Sequence, residues 1–301
     1  MPPEPVFHQV LVDVDEEEAD VASGILFDIG ATGLEERDAT TLAKGTHGKV
    51  TLVASFESEE LAREAREALP SEWSPREHVI VGDAFRDEWK KFFHPFELCA
   101  GIVVRPPWEP YEAKEGERVL ELEPGRAFGT GLHETTSLVA DALLTHATEV
   151  SRASVLDVGC GSGILSLLAL LLGADSARAV DVDPDAAEVT RENAGRNGYA
   201  DRMVTDTTDV RELEGAYGVV LANIEARVLI PLAEGIMART APGGLLVLSG
   251  VLAPDVVPQL EEVKAAYAAF ALLAVTRKGE WVAILLRAPA HTRTRESKAS
   301  G

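Results

Sequence analysis

From residue 155 onward, apolar positions fall into short β-branched runs that alternate with longer stretches of helical spacing. Residues 155–158 read as a buried strand, 164–172 as a leucine-rich helix and 177–181 as a second strand. Asp183-Pro184 predicts the start of a helix reaching Gly195, with aspartate as N-cap and proline in the first turn. Met203 and Val204 mark a third strand and 219–223 a fourth, with a helix over 229–240 behind it. Pro242-Gly243-Gly244 predicts a turn into a fifth strand, 245–249. After a helix over 258–269, the runs 272–276 and 281–286 are joined by Arg277-Lys278-Gly279-Glu280, an antiparallel hairpin signal. Alternating strands and helices that close on a hairpin predict a doubly wound α/β sheet.

The first third of the chain has a different rhythm. Residues 6–14 alternate as a strand, and the helix after them has Val21, Ile25, Leu26 and Ile29 on its apolar face. The acidic opening of that helix, Glu16, Glu17, Glu18 and Asp20, complements the positive end of the helix dipole. Strands at 34–38 and 50–56 with a loop around 45–48, a helix over 59–69 and a strand at 78–81 complete a βαββαβ order. That is the order of a small ferredoxin-like α/β sandwich. RNA-recognition modules share it, but they need basic and aromatic residues on the open sheet. Residues 1–83 hold 19 acids against 6 bases and no such strand motif, which disfavours nucleic acid. Two readings of this unit stand: capture of a basic protein, or an ordinary solvated surface. Residues 84–115 carry Trp89, Phe92, Phe93, Phe96 and Trp108 among prolines, and read as an aromatic-rich linker that packs as a collar or hinge. The expected organisation is a small α/β domain over 1–83, this linker, a larger α/β domain over 116–288 and a disordered polar tail over 289–301.

Composition narrows the setting. The 301 residues suffice for two domains with cores of their own. A formal charge of −22 argues against phosphate neutralisation and for either a basic partner or plain solubility. Cys99 and Cys160 make no disulfide framework, which points to a reducing compartment. The N-terminus lacks the regions of a signal peptide, and the apolar run at 164–172 is far short of a membrane span. A cytoplasmic, monomeric protein is expected, and no metal-ligand cluster stands out.

The candidate chemistry lies where the first strand of the larger domain ends. Gly159, Gly161 and Gly163 follow it at alternate positions and lead straight into a helix, so backbone can approach a ligand there with no Cβ between. Pyrophosphate turns read G-x-G-x-x-G and phosphate loops end in Gly-Lys-Ser/Thr; neither is present. Instead an acid, Asp157, stands two residues before the turn, where it would repel a pyrophosphate but can orient the turn or, through water, receive a cationic group. Asp181, at the tip of the second strand and 20 residues beyond Gly161, is placed to accept hydrogen bonds from ribose hydroxyls. Glycines and a ribose acid without a phosphate device imply an adenosine ligand free of phosphates, and S-adenosylmethionine fits best. A purely structural glycine turn is the bland alternative, and an NAD-dependent oxidoreductase is disfavoured by the glycine spacing.

The segment 128–136, Phe-Gly-Thr-Gly-Leu-His-Glu-Thr-Thr, introduces a helix from about Glu134 whose threonines suit its first turn. This segment, residues 157–163, residues 181–184 and Ala222-Asn223-Ile224 together resemble the PrmA family, which methylates the eleventh large-subunit ribosomal protein. The resemblance covers most of the chain. It implies a seven-stranded class I methyltransferase (Rossmann-like) domain after the ferredoxin-like one, with S-adenosylmethionine as cofactor. It implies that Thr136, Gly159, Gly161, Asp181 and Asn223 contact the cofactor, with Asn223 near the methyl group as the catalytic, amine-orienting residue. The substrate would be amino groups of a basic ribosomal protein, captured by the N-terminal domain, with the linker allowing domain movement. Leu132 and Glu134 stand where the family usually has Thr and Pro, and Glu225 stands where an apolar residue is common. A methyltransferase of another protein lysine or small amine, and a cofactor-binding scaffold without turnover, are the other readings.

Overall fold

The computed structural model describes residues 6–15, 18–37, 50–56, 58–81, 93–123 and 133–290. The loop expected around 45–48, Trp89, Phe92, the segment 124–132 and the tail from 291 lie outside them. The chain divides into two compact units, Met1–His94 and Pro95–Gly301.

The first unit runs β1 (Val6–Val14), α1 (Ala19–Asp28), β2 (Gly33–Arg37), β3 (Val50–Phe56), α2 (Glu59–Ala68) and β4 (Arg76–Val81). Its sheet has the order β2-β3-β1-β4 and is antiparallel throughout, the ferredoxin-like arrangement. Strand alternation puts Val10, Val12 and Val14 beside Leu52, Ala54 and Phe56 on the face that both helices cover. Val21, expected on the apolar face of α1, is instead 59% exposed. Ala19 and Ala22 take that face with Leu26; alanine is a weak signal in a sequence but lets a helix approach a sheet closely. The other face of the sheet carries polar cross-strand pairs: Gln9 donates to Ser55 (3.2 Å), Thr51 to Asp13 (2.6 Å) and Arg76 to Asp13 (2.6 Å).

The second unit opens with a small sheet of β5 (Phe96–Cys99), β6 (Ile102–Arg105) and β7 (Arg118–Glu121). The middle strand is antiparallel to β5 and parallel to β7. The stretch 84–115, read from sequence as linker, therefore contains two strands. Each is only four residues long and they meet at a tight turn through Gly101 (φ +73°), too little for periodicity to register.

Then follow α3 (Glu134–Thr145), α4 (Ala147–Val150), β8 (Ser154–Val158), α5 (Ile164–Leu171), β9 (Ser176–Val180), α6 (Pro184–Arg196) and β10 (Met203–Asp206). The last part is β11 (Tyr217–Asn223), α7 (Ala226–Ala238), β12 (Thr240–Leu252), α8 (Gln259–Ala266), β13 (Ala271–Lys278) and β14 (Trp281–Arg287). These strands form one seven-stranded sheet, β10-β9-β8-β11-β12-β14-β13. Strands β8 to β12 pair in parallel, and β14 inserts antiparallel between β12 and β13. One face, with Leu156, Val220, Leu246 and Ile284, packs on Leu229, Ile236 and Val263 of α7 and α8. The alternate residues Val155, Leu221 and Val247 are also buried, as a parallel sheet covered on both sides requires. Burying each such aliphatic side chain contributes about 1.5–3 kcal/mol. Pro242-Gly243-Gly244, expected to precede the fifth strand, lies within β12: pairing jumps from Tyr217–Thr240 to Val219–Leu245, and the extra residues are accommodated there.

Candidate active site

The strand register assembles the site. Val158 at the end of β8 pairs with Val180 on one side and Ala222 on the other. The next residue on each strand is therefore Asp181, Gly159 or Asn223, a row across the C-terminal tips of the three central strands. From β8 the sheet extends through β9 to one side and β11 to the other, the switch point where open α/β sheets bind ligands.

The glycine turn is tied down at every step. The N–H groups of Gly159 and Cys160 donate to the Val180 carbonyl at 2.8 and 3.2 Å, holding the turn to the neighbouring strand. Gly159, Gly161 and Gly163 all have positive φ (+74°, +53° and +79°), which L side chains rarely adopt. A Cβ on Gly159 would lie 2.3 Å from Cγ2 of Ile224, and one on Gly163 would lie 2.7 Å from Cγ2 of Thr190. The carboxylate of Asp181 meets this turn directly: Oδ2 accepts from Gly161 N–H at 2.9 Å and Oδ1 from Asp183 N–H at 3.1 Å. Gly161 has both backbone groups bound within the protein, its carbonyl accepting from the Thr190 hydroxyl at 2.9 Å. Asp183 caps α6 by accepting from Asp185 N–H, with Pro184 behind it as the sequence predicts.

Behind the turn, Asp157 is 1% exposed. Its Oδ2 accepts from the Ser166 hydroxyl at 2.8 Å, while Oδ1 has no hydrogen-bond partner among the described residues. Burial, with a smaller contribution from Asp181, raises its carboxyl from 3.8 to about 6. Burial also pushes the Cys160 thiol well up, so that side chain is packing and not a nucleophile.

Thr136 and Asn223 come together from 87 residues apart, the Asn223 amide reaching the Thr136 hydroxyl at 3.5 Å. Thr136 is buried in the first turn of α3. The cap of that helix is His133, whose Nδ1 accepts from Thr135 N–H at 3.3 Å; the threonines expected in that part lie inside the helix. The turn between β13 and β14 packs on the same helix end. The rings of His133 and Trp281 stack edge-on at 5.0 Å, and Lys278 donates to the Ser137 hydroxyl at 2.9 Å. Glu225, exposed at the N-terminus of α7, makes no side-chain cap and pairs with Arg227.

Two features escape sequence reading. Val182, between Asp181 and Asp183, is 93% exposed, an apolar side chain presented beside the carboxylate. Its one signal is its place directly after a strand-end acid. The second is a polar stripe on the buried face of α6, Thr190 and Asn193, hidden in a helix that reads as ordinarily amphipathic. Among the described residues no cluster of His, Cys, Asp or Glu could hold a metal ion, and no helix is long and apolar enough to cross a membrane.

A family model described as ribosomal protein L11 methyltransferase (PrmA) matches residues 6–289. The ribosomal protein L11 methyltransferase of Sorangium cellulosum is 52% identical over 254 residues, covering 83% of this chain and 80% of that protein. That of Geobacter sulfurreducens is 36% identical over 262 residues, covering 85% and 84%. The crystal structure of a ribosomal protein L11 methylase from Lactobacillus delbrueckii subsp. bulgaricus matches with a TM-score of 0.58 at 29% identity, over 66% of this chain and 99% of that one. A glycine turn at the switch point of a seven-stranded sheet of this order is thus found in a chain that belongs to the ribosomal protein L11 methyltransferase (PrmA) family.

Proposed function

We propose that this protein transfers methyl groups from S-adenosylmethionine to amino groups of ribosomal protein L11, on lysine side chains, the N-terminal amine or both. The observation that carries the reading is the row of Asp181, Gly159 and Asn223 across neighbouring strand tips, with Thr136 reaching Asn223 from α3. Asp181, held by two backbone N–H groups, keeps its remaining lone pairs for ribose hydroxyls. Val182 offers an apolar surface next to it for the base. The buried carboxylate of Asp157, with one oxygen unpartnered among the described residues, favours a cationic ligand group nearby.

When bound, S-adenosylmethionine supplies a methyl group already activated by its sulfonium, so the protein has mainly to position an amine. That amine must be neutral. A lysine of ordinary pKa is almost wholly protonated at pH 7, and discharging it costs about 4–5 kcal/mol. Desolvation beside a positive charge lowers that pKa, and the Asn223 side-chain carbonyl is suited to orient the nitrogen by accepting its N–H. Thr136 stands beside the Asn223 amide, its hydroxyl 3.5 Å from the amide nitrogen. The small N-terminal unit, with 19 acids against 6 bases over 1–83, is assigned to capture of the basic substrate protein. The same acidity disfavours nucleic acid as a partner, and the working form in this reading is a cytoplasmic monomer.

The test is incubation of the protein with methyl-labelled S-adenosylmethionine and purified L11, read by mass spectrometry. Methylated L11 amines are expected. Unmodified L11 beside a modified different protein would move the assignment to that substrate, and calorimetric binding of NAD in place of S-adenosylmethionine would overturn it altogether. Asn223→Ala is expected to lower turnover at least about tenfold at saturating donor, as expected for loss of a positioned contact. Full turnover in that variant removes Asn223 from the orienting role.

A further inference from the structure

The helix α6 presents three polar side chains on one stripe, Thr190, Asn193 and Asn197, and the first two are fully buried. Buried polar groups in a helix need a reason, because each must find partners away from water. These find them on two other backbone segments. The Thr190 hydroxyl donates to the Gly161 carbonyl at 2.9 Å. The Asn193 amide donates to the Ser162 carbonyl at 3.0 Å and to the Glu123 carbonyl at 2.9 Å, while its Oδ1 accepts from Glu123 N–H at 2.9 Å. Asn197 treats Glu121 the same way, donating to its carbonyl at 2.7 Å and accepting from its N–H at 2.9 Å. The two amides thus stand in for a neighbouring strand along Glu121–Glu123, and Asn193 alone also reaches the turn.

The chemistry leaves Asn193 little freedom. Three bonds from one side chain, two donated and one accepted, require an amide of this length. The partners also fix which atom is oxygen, since a flipped amide would set its NH2 against an N–H and its oxygen against two carbonyls. Because C=O and N–H oppose each other across a trans peptide, drawing the Gly161 and Ser162 carbonyls toward α6 sets the direction of the Ser162 and Gly163 amides.

We infer that Thr190 and Asn193 are positioning residues for methyl-donor binding: they hold the glycine turn in its receiving shape and lock it to the Glu121–Glu123 segment. This inference rests on the methyltransferase reading above. Neither side chain need touch the donor, so the signature is a change in donor affinity larger than the change in turnover.

The experiment measures donor affinity by calorimetry, and kcat and KM with S-adenosylmethionine and L11, using the full chain. Asn193→Asp keeps the shape, removes both donors and sets a carboxylate against two carbonyls. Its Kd for S-adenosylmethionine is expected to rise at least about tenfold with a smaller loss of kcat. Thr190→Val, nearly isosteric and the decisive variant if Asn193→Asp does not fold, is expected to raise Kd about threefold. Asn197→Asp lies on the same stripe but does not touch the turn, so it lowers the melting temperature and leaves Kd within about twofold. Thr190→Val and Asn193→Asp proteins that melt earlier yet bind the donor like wild type overturn the inference. Failure of the wild-type protein to bind the donor overturns the methyltransferase reading instead.

Discussion

Asp157 sits where a charge is least welcome, and that gives it a pH signature. Burial holds its carboxyl at about 6 against an ordinary 3.8, so the folded state binds this proton more tightly than the unfolded chain does. Its contribution to stability is therefore fully present below pH 3.8 and is lost as pH rises through about 6. The difference corresponds to up to about 3 kcal/mol at pH 7–8. Asp157→Asn should make the ligand-free protein relatively more stable at pH 8 than at pH 4, because the neutral side chain avoids the penalty. The new amide needs an acceptor, which offsets part of the gain, so the informative quantity is the slope. Denaturant unfolding at pH 4, 6 and 8 checks it, and a wild-type-to-variant difference that stays constant across that range refutes it. The same variant is expected to bind S-adenosylmethionine more weakly, the penalty being tolerated for the sake of a cationic ligand. The acid and its spacing are plain in the sequence, whereas its desolvation is not, since that depends on Ser166 and the sheet face around it.

Among elements, the join between β11 and α7 shows how tightly the site is built. Ile224 is flanked by two glycines from distant parts of the chain. A Cβ on Gly159 would meet its Cγ2 at 2.3 Å, and a Cβ on Gly250 (φ +83°) would meet its backbone carbonyl oxygen at 2.4 Å. Either alanine also takes on the strain of positive φ, about 1–2 kcal/mol. Gly159→Ala and Gly250→Ala should each lower the melting temperature and weaken donor binding. The two differ in rescue. Ile224→Ala removes the Cγ2 that crowds Gly159, leaving the nearest Ile224 atom, Cβ, at 3.7 Å, so it should recover part of the Gly159→Ala defect. It cannot relieve Gly250→Ala, where backbone is the obstacle. A double-mutant cycle on melting temperature measures both, and equal coupling in the two cycles contradicts this account. The Asn-Ile pair and the glycines are all visible in the sequence, yet only the register of β8, β11 and β12 makes them neighbours.

For the whole molecule, the net charge of −22 dominates. An acidic protein that captures a basic one through solvated charges should do so faster and more tightly at low ionic strength. The KM for the L11 substrate is expected to rise several-fold between about 50 and 200 mM salt, where the screening length falls. The KM for S-adenosylmethionine should move little over that range, because the Asp157 carboxylate is buried and screened little by salt. Steady-state kinetics with each substrate varied in turn separates the two. Parallel rises in both KM values would argue that charge acts on the catalytic unit as a whole and not on substrate capture.

The amino-acid order alone determined most of the elements and their kinds, but not the four-residue strands β5 and β6. Periodicity marks the strands of the seven-stranded sheet, Asp183-Pro184 opens α6, and the glycine spacing disfavours a pyrophosphate ligand. These are local properties, set by side-chain shape, backbone freedom and near-neighbour hydrogen bonds. Tertiary structure decided everything that depends on distance through space. It joined β5 and β6 into a sheet with β7, turned Val21 outward, made His133 the cap of α3 and exposed Val182. It also brought Thr136 to Asn223 and closed Asn193 between Glu123 and Ser162. Burial and long-range hydrogen bonding arise only when separate segments share one desolvated volume, and a one-dimensional pattern does not encode which segments those are.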